Sequence, residues 1–141
     1  MQTSDGGFVV AGVTTSSQGG SDYFVLKIDN EGNIEWQKRY GKEGFGFPSF
    51  PERANSIKQT ADNGYIVFGY TGSIDLTRFV MYLIKIDAIG NLEWQNFFWD
   101  YYGNSYGRVA QISDDGSIII SGNWYGRCAY HSHTAKEYKI V

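Results

Sequence analysis

Gln59-Thr60-Ala61-Asp62-Asn63-Gly64-Tyr65-Ile66-Val67-Phe68-Gly69 restates Gln2-Thr3-Ser4-Asp5-Gly6-Gly7-Phe8-Val9-Val10-Ala11-Gly12 nearly position for position, and a shorter echo follows at Gln111-Ile112-Ser113-Asp114-Asp115-Gly116. Further along each copy, Leu26-Lys27-Ile28-Asp29-Asn30-Glu31-Gly32-Asn33-Ile34-Glu35-Trp36-Gln37 is matched by Ile84-Lys85-Ile86-Asp87-Ala88-Ile89-Gly90-Asn91-Leu92-Glu93-Trp94-Gln95. Tyr138-Lys139-Ile140 opens a third copy. The chain is a tandem repeat, and each unit of such an array buries its hydrophobic face only against its neighbours.

Within the complete unit, four strands are expected: Ala54 to Thr60, Tyr65 to Thr71, Phe79 to Asp87, and Leu92 to about Trp99, with turn residues between them. Asp5-Gly6-Gly7 and Asp62-Asn63-Gly64 supply residues that tolerate positive φ in tight hairpins. Asp29-Asn30-Glu31-Gly32 and Asp87-Ala88-Ile89-Gly90 suit a type I turn closed by a left-handed Gly. The runs Phe8-Val9-Val10-Ala11 and Tyr65-Ile66-Val67-Phe68 are apolar on both faces, as in an inner strand covered from either side. Lys27 and Lys85 sit among apolar neighbours and are expected at a rim, with solvated or snorkelling ammonium groups.

Four short strands per unit of about 50 residues is the spacing of a propeller blade. The expected fold is therefore all-β: a β-propeller fragment of about two and a half four-stranded antiparallel blades. It forms one partial propeller over 1–141, in units of about 2–52, 53–104 and 105–141, the first and last incomplete. The strand count runs three, four, three. Open blades expose edges, so the chain is expected to be a fragment with further blades in a longer protein, or to self-associate.

Composition agrees. Hydrophobic residues at 42% exclude a disordered chain, and aromatic residues at 17% with 18 glycines fit short ring-rich strands between Gly turns rather than a helical bundle. The net charge of −3, without a Lys or Arg run, argues against a nucleic-acid partner. No apolar run is long enough to span a membrane as a helix, and the N-terminal residues do not read as a signal peptide. The single cysteine, Cys128, excludes an internal disulfide framework.

At Ile28-Asp29-Asn30-Glu31-Gly32-Asn33-Ile34-Glu35-Trp36 and its twin ending at Trp94, the sequence resembles the repeat of quinoprotein-like (PQQ-like) propellers, whose blades carry an Asp-turn-Gly-then-Trp docking motif. The turn here is one residue shorter. With its Asp-Gly-Gly opening, the unit is similar to propeller repeats of bacterial secreted and cell-surface proteins. The resemblance implies structural roles for Trp36, Trp94, Gly32, Gly90, Asp29 and Asp87, with each Trp docking adjacent blades, and an extracellular or cell-envelope location. It carries little about activity, because many unrelated functions share such repeats.

Several residues have the types that chemistry requires. Cys128, His131 and His133 form Cys-x2-His-x-His, whose side chains are metal-compatible, but the spacing matches no strong zinc motif. The recurring Asp5, Asp62 and Asp114, with Asp29 and Asp87, are calcium-compatible, yet turn formation accounts for them without an ion. No metal and no cofactor are expected. Nucleophilic catalysis needs a nucleophile, a base and an orienting group brought together; the only histidines lie in the divergent third unit, and Ser132 between them is read as a coincidence of composition. Function is expected where the repeat is broken: at Trp99, Tyr101 and Tyr102 in the stretch Asn96 to Tyr106, at Trp124 and Tyr125, and at the three Phe residues of Gly44 to Pro51. Exposed rings of this kind stack on sugars or anchor protein partners. The alternative for Asn96 to Tyr106 is that its rings fill the inter-blade core.

The expectation is a non-catalytic repeat module, the binding or scaffold part of a larger exported or cell-surface protein, taking a protein or a carbohydrate. The competing reading is a fragment of a quinoprotein-type dehydrogenase propeller, in which the intact ring would hold a quinone cofactor and calcium. A carbohydrate-binding propeller and a purely structural spacer complete the set.

Overall fold

The computed structural model describes residues 1–15, 20–41, 52–72, 77–98, 103–126 and 138–140. Among them there is no helix; ten strands form three antiparallel sheets. The first sheet is β1 (Phe8–Thr15), β2 (Ser21–Ile28) and β3 (Ile34–Tyr40). The second is β4 (Arg53–Gln59), β5 (Tyr65–Gly72), β6 (Phe79–Ile86) and β7 (Leu92–Phe98). The third is β8 (Gly103–Ile112), β9 (Ile118–Gly126) and β10 (Tyr138–Ile140). Every strand pairs with its sequence neighbours, so each sheet is a meander, and the three, four and three strands match the count read from the repeat. In the first sheet Met1 and Gln2 stand where β4 stands in the second: Gln2 is bridged to Phe8 as Gln59 pairs with Tyr65, and Met1 exchanges backbone hydrogen bonds with Val9.

The hairpins form because the sequence fits their turns. Gly6, Asn63 and Gly116 adopt positive φ of 86°, 64° and 81°, and Gly32 and Gly90 take 89° and 80°; glycine and asparagine bear this conformation at least cost. The turn register also corrects the third unit. Asp115, not Asp114, takes the place of Asp5 and Asp62: its Oδ1 accepts from the Ser117 amide as theirs do from Gly7 and Gly64, and from the Ser113 hydroxyl as theirs do from Thr3 and Thr60. Either of the two consecutive aspartates satisfies the repeat pattern, and only Asp115 fits the turn.

Alternation along β5 and β6 builds two cores. Tyr65, Val67, Tyr82, Ile84 and Ile86 face the first sheet, against Val9, Tyr23, Val25 and Tyr40. Ile66, Phe68, Met81 and Leu83 face the third, against Ala110, Ile118 and Ile120. The middle sheet is thus covered on both sides, as its two-faced apolar runs require. The same expectation fails for Phe8 to Ala11: Val9 is buried, but Phe8 and Val10 point away from the second sheet and are exposed, since no described sheet lies on that side. Of the rings at the break in the repeat, Phe97 stacks on Tyr82 at a centroid distance of 4.8 Å and Phe98 packs on the opposite core.

The first and second sheets are also latched through β3. The Trp36 indole N–H donates to Ala88 O at 3.1 Å, Lys38 Nζ to Asn91 Oδ1 at 2.8 Å, and the Tyr40 hydroxyl to Gly90 O at 2.7 Å. One face of a strand thereby grips the β6–β7 turn, and the left-handed Gly90 leaves room for the Trp36 ring, which a methyl group there would meet at 3.0 Å. Trp94, its counterpart, packs half-buried against the second core. Trp36→Ala is expected to cost about 2–4 kcal/mol by loss of packing and one hydrogen bond, and Trp36→Phe about 1 kcal/mol. Urea unfolding of both variants measures this; equal losses would assign the whole effect to the hydrogen bond.

Candidate functional site

The two ends of the stacked sheets differ in kind. At one end lie the short repeated turns 3–7, 29–33, 60–64, 87–91 and 113–117, closed by backbone hydrogen bonds. At the other, β1 and β2, β3 and β4, β5 and β6, β7 and β8, and β9 and β10 are joined by the segments in which the repeat is broken. This second end is the loop end.

A groove of about 440 Å³ opens at the loop end between the second and third sheets, lined by Tyr70, Asn104, Tyr106, Arg108 and Tyr125. Tyr70 stands near the end of β5, Asn104 to Arg108 on β8, and Tyr125 on β9. Three rings form a continuous wall: Tyr106 meets Tyr70 edge-on at 5.0 Å and Tyr125 at 5.9 Å, and Phe79 backs both Tyr70 and Tyr106. Tyr125 is 59% exposed, so its ring is presented to solvent rather than spent on packing. Burial, then its neighbours Tyr70 and Tyr125, raises the Tyr106 hydroxyl above its ordinary pKa, so it stays a protonated donor. Asn104 Oδ1 accepts from the Phe79 amide at 2.8 Å, and Arg108 Nε donates to Asn123 Oδ1 at 2.7 Å; these bonds fix both side chains at the rim. Arg108 makes no ion pair among the described residues.

Of the ring residues singled out from sequence, Tyr125 lies in this groove. Trp124, half-buried on the alternate face of β9, does not line it. Trp99, Tyr101 and Tyr102 lie outside the described residues, as do Gly44 to Pro51 and Cys128, His131 and His133. Tyr70, Asn104, Tyr106 and Arg108 were not chosen from sequence as binding residues. Tyr106 closes the stretch Asn96 to Tyr106, but Tyr70 sits inside an ordinary repeat strand, and only the stacking of two sheets brings it there.

The aspartates at the turn end are engaged by the protein itself. Asp29 accepts from the amides of Glu31 and Asn33 and from the Asn33 side chain, and Asp87 does the same with Ile89 and Asn91. These bonds lower both carboxyls below their ordinary pKa.

Lys27 and Lys85 depart from the expected rim position. Both are buried, and each ammonium group is clasped by two carboxylates: Lys27 by Asp5 at 2.9 Å and by Glu35, Lys85 by Asp62 at 2.9 Å and Glu93 at 2.8 Å. Each also donates to a carbonyl on its own strand, Ile28 or Ile86. The room comes from Gly7 and Gly64, where a methyl group would collide with the ammonium group. Burial pulls both lysines down, but the hydrogen bonds to the paired carboxylates outweigh it and hold them above the ordinary value. The Thr60 hydroxyl, then Lys85 and the Gly64 amide, hold the Asp62 carboxyl at about 2, and Thr3, Lys27 and Gly7 hold Asp5 well below the usual carboxylate range. The clasp recurs in the first two sheets, and in the third Lys139 pairs with Ile119 in the register of Lys85 with Ile66 and Lys27 with Val9.

The chain matches no protein-family model, and no curated protein matches it significantly. Among the described residues, no helix is long and apolar enough to cross a membrane, and no group of three or more His, Cys, Asp or Glu residues is placed to hold a metal ion.

Because Asp5 and Asp62 bind protons less readily folded than unfolded, their stabilisation is complete above the ordinary carboxylate pKa of 3.8 and is lost as pH falls through their lower folded values. Unfolding free energy is therefore expected to drop between about pH 4 and pH 2. Denaturation of the wild type and Asp62→Asn at several pH values checks this, the variant showing the shallower slope.

Proposed function

We propose that the chain is a non-catalytic β-propeller repeat module, part of a larger exported or cell-surface protein, whose loop-end groove binds a saccharide. The propeller reading rests on three meander sheets that stack face to face in chain order through a repeated interface. It draws also on the resemblance of the Asp-turn-Gly-Trp segments to quinoprotein-like repeats, and the exported location rests on that resemblance alone. The observation that carries the binding function is the exposed Tyr125 ring beside Tyr106 and Tyr70, with Arg108 and Asn104 at the rim. Ring faces pack against the C–H face of a pyranose, while amide and guanidinium groups bond its hydroxyls. Arg108, free of an acidic partner among the described residues, adds a preference for a carboxylate-bearing sugar.

Titration of neutral and uronate-containing oligosaccharides, followed by tyrosine fluorescence and by NMR, tests this reading. Tyr125→Ala is expected to weaken binding about tenfold or more, equivalent to about 1.4 kcal/mol, without lowering Tm. Arg108→Gln is expected to remove the advantage of uronates over neutral sugars. An absence of binding across the panel, or binding indifferent to Tyr125→Ala, would refute it.

A further inference from the structure

The groove at the loop end is flanked by a second arginine, set beside its tyrosine wall by strand pairing. Arg53 opens β4 and lies directly opposite Tyr70 of β5. Directly opposed residues of an antiparallel pair share a face, with Cβ atoms about 5 Å apart. The burial of Ala54 agrees: it belongs to the core against the first sheet, so its neighbour Arg53 leaves the strand on the opposite face, the one that carries Tyr70 into the groove. β4 is also held against β8 at this level, because Asn55 Nδ2 donates to Gly107 O at 2.7 Å, between Tyr106 and Arg108. Arg108 is the residue left unpaired by the bulge between Gly107 and Val109, a device that re-aims a side chain. One guanidinium group thus stands on the β4 side of the ring wall and one on the β8 side.

The charge around these two arginines is one-sided. Arg53 is exposed, and neither it nor Arg108 makes an ion pair among the described residues, whereas Lys27, Lys85 and Arg39 are each matched by a carboxylate. No described Asp or Glu lines the groove. Glu52, which precedes Arg53, is turned to the other face: its Oε1 accepts from the Thr71 hydroxyl at 2.7 Å, and burial followed by the Glu52 charge raises the hydroxyls of Tyr23 and Tyr82 in the first core. Asp5, Glu35, Asp62 and Glu93 are spent on the lysines. In a chain of net charge −3, two unmatched arginines around one aromatic groove run against the overall balance.

We infer that the ligand of the groove is an acidic oligosaccharide with at least two uronate carboxylates, one held by Arg108 and another by Arg53, with sugar rings between them on Tyr70, Tyr106 and Tyr125. This rests on the saccharide reading of the groove and specifies it: a single uronate satisfies Arg108 alone, whereas a run of uronates satisfies both arginines. Charge complementarity selects the acidic polymer over a neutral one. A guanidinium group takes a carboxylate through two parallel N–H···O bonds, and Arg108, whose Nε is spent on Asn123, keeps its terminal nitrogens for this purpose.

Calorimetric titration with three ligands of equal length is the deciding measurement: a neutral tetrasaccharide, one bearing a single uronate, and a tetra-uronate. Affinity is expected to rise in that order, and the advantage of the tetra-uronate to shrink as salt is added. Arg53→Gln, at an exposed position, should keep the wild-type circular dichroism and Tm. It should weaken the tetra-uronate about fivefold, the worth of a good exposed ion pair, and leave the other two ligands unchanged. Arg108→Gln should weaken both uronate ligands. A tetra-uronate bound no better than the single uronate, an advantage indifferent to salt, or a loss on Arg53→Gln that is equal for all three ligands overturns the inference and leaves the saccharide groove standing. A tetra-uronate that responds to Arg53→Gln but not to Tyr125→Ala supports the paired arginines and removes the ring wall. Absence of binding by all three ligands overturns both.

Discussion

The structure depends on one constraint: β5 and β6 are apolar on both faces, so the sheet that contains them is stable only between two others. Side chains alternate across a strand, and Tyr65, Val67, Tyr82, Ile84 and Ile86 go one way while Ile66, Phe68, Met81 and Leu83 go the other. Neither set can be left in water. The first and third sheets answer this demand, and their positions then fix everything else, including the strand β3 that reaches over to the 87–91 turn and the crevice where Tyr70 and Tyr106 meet.

Charge is fitted into this apolar stack without breaking it. The buried ammonium groups of Lys27 and Lys85 are tolerated because each finds two carboxylates and a carbonyl within reach. The same contacts tie the first hairpin turn of a unit to its last strand, since Asp62 belongs to the turn after β4, Lys85 to β6 and Glu93 to β7. One cation therefore links three parts of a unit that backbone pairing joins only in sequence.

Much of this was legible in the sequence because the repeat is local. The Asp and Gly residues of the turns act within a few positions of one another, and the strand boundaries fell within about a residue of those expected in the second unit. What was not legible depends on distance along the chain. Lys85 among isoleucines reads as a rim residue until Asp62 and Glu93 are seen to converge on it, and the exposed back of β1 is indistinguishable by composition from the covered back of β5. The groove was half visible: Tyr125 stands out at a break in the repeat, but Tyr70 looks like any strand residue, and its role appears only when β5 is set beside β8. The doubled aspartate at 114 and 115 misled the alignment because either residue satisfies the pattern and only one fits the turn.

The separation of the two ends carries an evolutionary consequence. At the turn end, an insertion at 87–91 would move Gly90 away from Trp36, and one at 60–64 would move Asp62 away from Lys85, so each of these turns is constrained by a contact beyond its own backbone. At the loop end the spacing between successive strands differs from unit to unit, and doubling the length of a loop costs only about 0.6 kcal/mol. Such a scaffold lets the sequence of one end drift while the stack beneath it stays fixed, and the irregular sequence gathered at that end, against the near-verbatim turns at the other, is the pattern this asymmetry would leave.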